Sequence, residues 1–252
     1  MFQASSLHLD ELRAQIARIE RGPAAAYDRP WGQTVSIGAA EIDQALPNGG
    51  LALGALHEIA GAGPDTEHGA AAALLTAGIL ARMTGPVLWA MEYADLFAPG
   101  LAGVGLHPDR VLFAAAGKEV LATMEEGLRH PGLAAVVGEV AGRFSLIATR
   151  RLQLAAEQTG VLAIALRRSR QFDDPALMAP TAAMTRWKVA ALPSLPVAVP
   201  GLGPARWRLT LTRCRGGETG SWITEACDAT GRVHLVPDAA DRSAATAERR
   251  HA

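Results

Sequence analysis

The run Gly61-Ala62-Gly63-Pro64-Asp65-Thr66-Glu67-His68-Gly69 follows a short apolar segment, Leu56-His57-Glu58-Ile59-Ala60, and precedes an Ala- and Leu-rich stretch over 69–84. A glycine-rich turn between a strand and a helix is where backbone N–H groups cradle phosphates, in the pattern G-x-x-x-x-G-K-[ST]. In that pattern the lysine reaches the terminal phosphates and the hydroxyl holds Mg²⁺. Counting from Gly61, the positions for glycine, lysine and hydroxyl are taken by Thr66, Glu67 and His68. No realignment repairs this, because the only lysines in the chain are Lys118 and Lys188. Gly117-Lys118-Glu119 lacks both the earlier glycine and the following hydroxyl. Asp65 and Glu67 make the loop acidic as well. One like charge about 4 Å from a phosphate costs about 4 kcal/mol at an effective dielectric near 20, roughly a thousandfold in affinity. The loop is therefore expected to hold no nucleotide, and the chain to use no cofactor and no metal.

Other residues with chemical potential are isolated. Val136-Val137 runs into Gly138-Glu139, where a metal-binding strand would carry an apolar run ending in Asp. Glu92 follows the apolar run Pro86–Met91 and has no second catalytic group beside it in sequence. His57 and His68 have no Ser, Cys or metal-ligand cluster beside them in sequence, the setting of a structural histidine. Cys214 and Cys227 are widely spaced and fit no metal or redox motif, so both are expected to be reduced core thiols. No catalytic residue is assigned, and the chain is expected not to be an enzyme.

The elements that would carry these residues alternate. Apolar runs at 55–60, 86–91, 110–113, 133–137 and 161–166 are separated by helical patterns at 69–84, near 93–102, at 118–130 and at 144–158. Strands apolar on both faces and spaced by helices imply an α/β fold with a mainly parallel sheet covered on both sides. After residue 166 the pattern changes. Segments 182–191, 205–214, 221–226 and 232–236 read as strands added antiparallel at the sheet edge.

Length, charge and composition set the bounds. The chain has 252 residues, 49% hydrophobic, with a net charge of −1, so neither nucleic acid nor membrane is indicated by overall charge. No apolar run reaches the ~18 residues of a membrane span, and the N-terminus lacks the charge and apolar pattern of a signal peptide, so a cytoplasmic location is expected. Leu9, Leu12, Ile16 and Ile19 recur at helical spacing, giving an amphipathic helix over 1–22. A Gly/Pro/Ala linker over 23–34, a core over 35–236 and a disordered tail over 237–252 complete the expected organisation. Within 150–215, eleven basic side chains face three acidic ones, a net +8. Arg186-Trp187-Lys188 and Arg206-Trp207-Arg208 repeat one pattern. Strand alternation puts Trp187 and Trp207 on one face, and Arg186, Lys188, Arg206 and Arg208 on the other. If the two segments pair, the four cations cluster, and they and the two tryptophans form a candidate partner surface; the alternative is a solvated sheet face above a core of Trp and Leu. The stripe Leu9, Leu12, Ile16 and Ile19 is a second.

The run Val35–Gly61 carries further pattern: Glu41-Ile42-Asp43-Gln44-Ala45-Leu46, then Gly49-Gly50-Leu51, then Gly54, then His57-Glu58-Ile59-Ala60-Gly61. It resembles the approach to the ATP-binding core of RecA, and Trp89-Ala90-Met91-Glu92 resembles the RecA strand end with the water-activating glutamate. The likeness extends more weakly to about residue 215. An intact approach with a ruined phosphate loop is similar to the ImuA family of damage-induced mutagenesis operons. That resemblance implies a RecA-like, P-loop-NTPase-type core. It also implies a non-catalytic accessory role in translesion DNA synthesis and the SOS response. The partners it implies are an ImuB-like inactive Y-family polymerase protein, an error-prone C-family DNA polymerase and RecA itself. Direct DNA binding stays open, because the segments after 137 and 166 are short compared with RecA's DNA-binding loops. The alternatives are a SulA-like cell-division inhibitor, which shares a RecA-like fold without a working phosphate loop, and an atypical RecA/RadA-type ATPase.

Overall fold

The computed structural model describes residues 33–196 and 201–236. The stripe Leu9, Leu12, Ile16 and Ile19, the linker up to residue 32 and the tail from 237 lie outside them. Ten strands and six α-helices alternate in the described residues: β1 (Thr34–Val35), α1 (Ala40–Asp43), β2 (Leu51–Ala52), β3 (Leu56–Gly61), α2 (Asp65–Ala81), β4 (Val87–Met91), α3 (Ala98–Ala102), β5 (Val111–Ala115), α4 (Val120–Leu128), β6 (Ala135–Ala141), α5 (Leu146–Thr159), β7 (Leu162–Arg168), α6 (Pro175–Met178), β8 (Thr185–Leu192), β9 (Arg206–Cys214) and β10 (Gly220–Glu225). Strands β1 and β2 form a small ribbon, and the others one sheet in the order β10-β9-β8-β3-β7-β6-β4-β5. All pairs from β8 to β5 are parallel, while β9 and β10 are antiparallel. The expected mainly parallel α/β sheet with antiparallel C-terminal strands is therefore present. One detail differs: β8 joins parallel to β3, with Ala60 opposite Lys188. It does so because the segment from 169 to 184 crosses back to the start of β3, where the Met184 N–H donates to the Leu56 carbonyl. The expected strand at 232–236 is reduced to a single bridge, Thr224 to Leu235.

Each face of the sheet has its own core. On one side α2 packs against Trp89, Ile164, Leu166, Trp187, Trp207 and Leu209. Alanine-rich α2 suits this place: alanine has the highest helix propensity, and its small side chain lets the helix lie buried from Ala71 to Leu80. On the other side α4 and α5 cover Leu56, Val136, Ala163 and Ala165. Helix α5 is capped by Ser145, whose Oγ accepts from the Ala148 N–H at 3.2 Å, and ends on Gly160 at φ 74°. Gly138 in β6 is required by contact: a Cβ there would stand 2.1 Å from the Met124 sulfur. No helix of the described residues is long and apolar enough to cross a membrane. Cys214 and Cys227 are both free thiols, and burial pushes their pKa values up, that of Cys227 to about 12. Cys227 lies beyond β10.

His57 is fully buried in β3. Its Nδ1 faces Thr185 Oγ1 at 2.8 Å and its Nε2 the Ala52 carbonyl at 2.9 Å, while Trp187 Nε1 donates to the same threonine hydroxyl at 3.0 Å. These contacts leave no room for solvation of a cation. Burial pulls the His57 pKa from 6.5 down to about 4, with the Ala52 carbonyl opposing. Unfolded chain takes up this proton below pH 6.5 and folded chain only below about 4. Stability must therefore fall as pH drops across that window, by up to about 1.4 kcal/mol per pH unit from this residue. Urea unfolding at pH 7, 5.5 and 4.5 should show a shallower pH slope for His57→Gln than for the parent, and equal slopes would refute the assignment.

Candidate functional site

The loop after β3 is short and closed. Gly61 ends β3 and α2 already begins at Asp65, so Thr66, Glu67, His68 and Gly69 lie in the first turns of the helix. His68 folds back beneath the loop. Its Nδ1 accepts the Ala191 N–H at 3.2 Å, and the side chain is 13% exposed. A Cβ on Gly61 would meet His68 Cβ at 3.0 Å, and one on Gly63 would meet the imidazole at 3.1 Å. The glycines here make room for the chain's own histidine. The remaining hollow beside Gly61 and Ala62, lined by Phe172, Asp173, Asp174 and Lys188, measures about 80 Å³. Small-molecule pockets are typically several hundred Å³. The Asp65 N–H is taken by the Ser169 carbonyl at 2.8 Å, and those of Glu67 and His68 by the Pro64 carbonyl at 3.0 Å each. Asp65 and Glu67 place the chain's own negative charge at the N-terminus of α2, where a phosphate would sit.

A guanidinium stands beside this loop. Arg168, at the end of β7, donates from Nε to Asp65 Oδ2 at 2.7 Å and from Nη2 to Asp95 Oδ2 at 3.0 Å. Its Nη1 bonds Glu139 Oε2. The three carboxylates come from the start of α2 and from the segments ending β4 and β6. Glu139, at the position of a metal-binding acid, also accepts from Trp89 Nε1 at 2.9 Å. Burial pushes the Glu139 carboxyl above its usual range, while the Trp89 hydrogen bond and Arg168 pull the other way. The acids around Arg168 raise its pKa further, against the opposing effect of burial. Asp65 and Glu139 are thus spent on an internal cation.

Arg167 does the same on the opposite face. It is 2% exposed and pairs with Glu58 Oε2 at 3.2 Å. It donates to the Gly142 carbonyl at 2.6 Å and to the Ala176 carbonyl at 3.4 Å, and its guanidinium lies 5.0 Å from the Phe144 ring centre. Glu58 also takes Arg186 Nη2 at 3.3 Å and the Thr181 hydroxyl. Together Arg167 and Arg168 staple the segments that follow β4, β6 and β7. Around them stand large exposed apolar side chains: Tyr93 and Phe97 after β4, Leu146 and Ile147 after β6, Phe172 and Met178 after β7. Glu92 is half-buried in the same region, and its side chain bonds Tyr93.

This arrangement corrects the expected basic surface. Strands β8 and β9 do pair antiparallel, but Arg186 turns inward to Glu58, and Arg206 is 4% exposed with Nη1 on the Pro193 carbonyl. Trp187 and Trp207 are 0% and 3% exposed and belong to the core, so neither can be a surface anchor of the folded domain. Of the six residues only Arg208, opposite Ala190, and half-buried Lys188 reach the open face. Four of the eleven basic side chains of residues 150–215 pair with acids elsewhere: Arg167 and Arg186 with Glu58, Arg168 with Asp65, Asp95 and Glu139, and Arg151 with Glu125. Sequence reasoning missed the pairing of Arg167 and Arg168 with these acids. Its one available signal was a pair of arginines directly closing an apolar strand.

Replacing Arg168 by methionine leaves Glu139 buried without its counter-ion. Removing one partner of a fully buried pair costs about 3–5 kcal/mol, and the partial exposure of Arg168 lowers this to about 2–4 kcal/mol. Glu139→Gln added to Arg168→Met should recover part of the loss in urea unfolding. Additive losses in the double variant would refute the coupling.

No family model matches the chain. Its fold is similar to that of the RadB recombinase in a crystal structure, with a TM-score of 0.56 at 17% identity over 81% of this chain and all of the other. It is 42% identical over 228 residues to Protein ImuA of Caulobacter vibrioides in each of two strains, NA1000 / CB15N and ATCC 19089 / CIP 103742 / CB 15. The match covers 85% of this chain and 93% of those proteins. With the RecA-like approach intact, the phosphate loop closed by its own histidine and this identity across most of the chain, the protein belongs to the ImuA family.

Proposed function

We propose that this protein is a non-catalytic accessory factor of damage-induced translesion DNA synthesis, acting in the cytoplasm by binding other proteins. The observation that carries the reading is the occupied phosphate loop. His68 fills the space under Gly61 and Gly63, and Arg168 binds Asp65 and Glu139, the acids closest to where phosphate and metal would lie. A nucleotide would have to displace the histidine, break the ion pairs and still do without a lysine. Membership of the ImuA family favours mutagenesis over the division-inhibitor reading.

The proposed partners are an ImuB-like inactive Y-family polymerase protein, an error-prone C-family polymerase and RecA. Tyr93, Phe97, Ile147, Phe172 and Met178, all large, apolar and exposed on the segments that follow β4, β6 and β7, support a binding role. The C-terminal edge of the sheet, which carries the ligand in open α/β sheets, then carries a protein partner.

Titration of a fluorescent ATP analogue with Mg²⁺ should show no saturable binding up to about millimolar, a standard binding free energy weaker than about −4 kcal/mol. Glu92→Gln should leave damage-induced mutagenesis unchanged, and Ile147→Asp with Phe172→Asp should abolish it in a variant whose circular dichroism is native. Micromolar nucleotide affinity, or mutagenesis lost with Glu92→Gln, would overturn the non-catalytic reading.

A further inference from the structure

Strand β5 is the outer strand of the sheet at the end away from β10, and among the described residues it pairs only with β4. The Ala116 N–H donates to the Met91 carbonyl at 2.9 Å. By alternation along the strand, Leu112 and Ala114 also face β4, and Phe113 turns its N–H and C=O to the open side. An open strand edge is a template for another chain, and proteins normally shield it with charge, proline or a bulge. Here the edge instead exposes Leu112 and Phe113, at 58% and 40%.

Beside this edge runs a groove of about 720 Å³. Leu88, Leu112, Gly127 and Leu133 contribute apolar surface to it. Its helical wall is one stripe of α4 and the turns flanking it: Glu119, Thr123, Glu126 and His130, spaced by three and four residues. Glu126 is 64% exposed and Glu119 is also exposed, so carboxylates stand along the rim. Arg129 reaches Glu126 at 3.0 Å but is itself 57% exposed, so an incoming cation can compete for that carboxylate.

An unpaired strand, an apolar trough on one side of it and an acidic rim together specify a ligand. We infer that the β5 edge and its groove bind an extended segment of a partner protein, which adds to the sheet at Phe113. Its apolar side chain fills the trough between Leu112 and Leu133, and flanking Lys or Arg residues meet Glu119 and Glu126. Main-chain bonds supply the register, and the pocket and charges supply the choice of sequence. This assigns a surface and a chemistry to the partner binding proposed above, and rests on that reading only in taking the protein to work by binding.

The test uses the full chain and a labelled synthetic peptide, Lys-Val-Lys-Phe-Lys-Val-Lys, followed by fluorescence anisotropy. Three controls accompany it: the same peptide with Glu for every Lys, the peptide N-methylated at its Phe, and the scrambled sequence. The basic peptide should bind saturably, roughly tenfold or more tighter than each of the three controls. Thr123→Trp, which fills the trough, and the charge reversal Glu119→Lys with Glu126→Lys should each weaken binding by about the same factor. Thr123 is only partly buried and Glu119 and Glu126 are exposed, and circular dichroism establishes that each variant folds. No saturable binding of the basic peptide, equal binding of the N-methylated peptide, or binding unchanged in both folded variants would overturn the proposal. The nucleotide titration above is independent of this groove, so failure here leaves the non-catalytic reading untouched.

Discussion

The carboxyl of Glu139 lies buried beside Trp89, and burial alone would leave it a poorly solvated acid at the centre of the sheet's C-terminal edge. Arg168 supplies its counter-charge, and the same guanidinium holds Asp65 and Asp95. One planar cation with five donors can serve acids from three chain segments at once, which a lysine could not do with the same directionality. The position of α2, the path after β4 and the end of β6 all depend on that group. On the other face Arg167 performs the same service for Glu58, Gly142 and Ala176. A region that in a nucleotide-binding relative would be organised around phosphate and metal is organised here around two adjacent side chains.

Much of the fold was legible from the chain, because buried parallel strands and amphipathic helices leave local patterns. The five apolar runs up to residue 166 all became strands of the sheet, and the helical stretches became α2, α3, α4 and α5. The alternation that put Trp187 and Trp207 on one face was correct, and that face is the core. The place of β8 was not legible in the same way. Whether a strand joins parallel or antiparallel depends on where the preceding segment returns it, and the stretch from 169 to 184, regular only in the single turn of α6, has no period to read.

The candidate site was half legible. The missing lysine and the acidic loop are plain in sequence, and they direct attention to Gly61–Gly69. The identity of what fills the loop is not, because His68 meets the amide of Ala191, 123 residues away. The basic surface failed for a related reason. Net charge over a window counts residues that are neighbours in the chain, whereas ion pairs join residues that are neighbours in space. Arg168 and Asp95 are 73 positions apart, and Arg186 and Glu58 are 128. Arginine is especially prone to this error, since its long stem and fork let it sit in a core that would reject lysine.

The closure of the phosphate loop also bears on how such a protein can change over generations. Placing a lysine at position 67 alone would leave His68 under the glycines and keep Asp65 at the N-terminus of α2. Removing Arg168 first would strand Glu139. Each single step toward a nucleotide site is thus destabilising or fruitless by itself, and useful only after the others. Arg168 and His68 therefore work as a double lock: with both in place, opening this loop to a phosphate would take several substitutions at once.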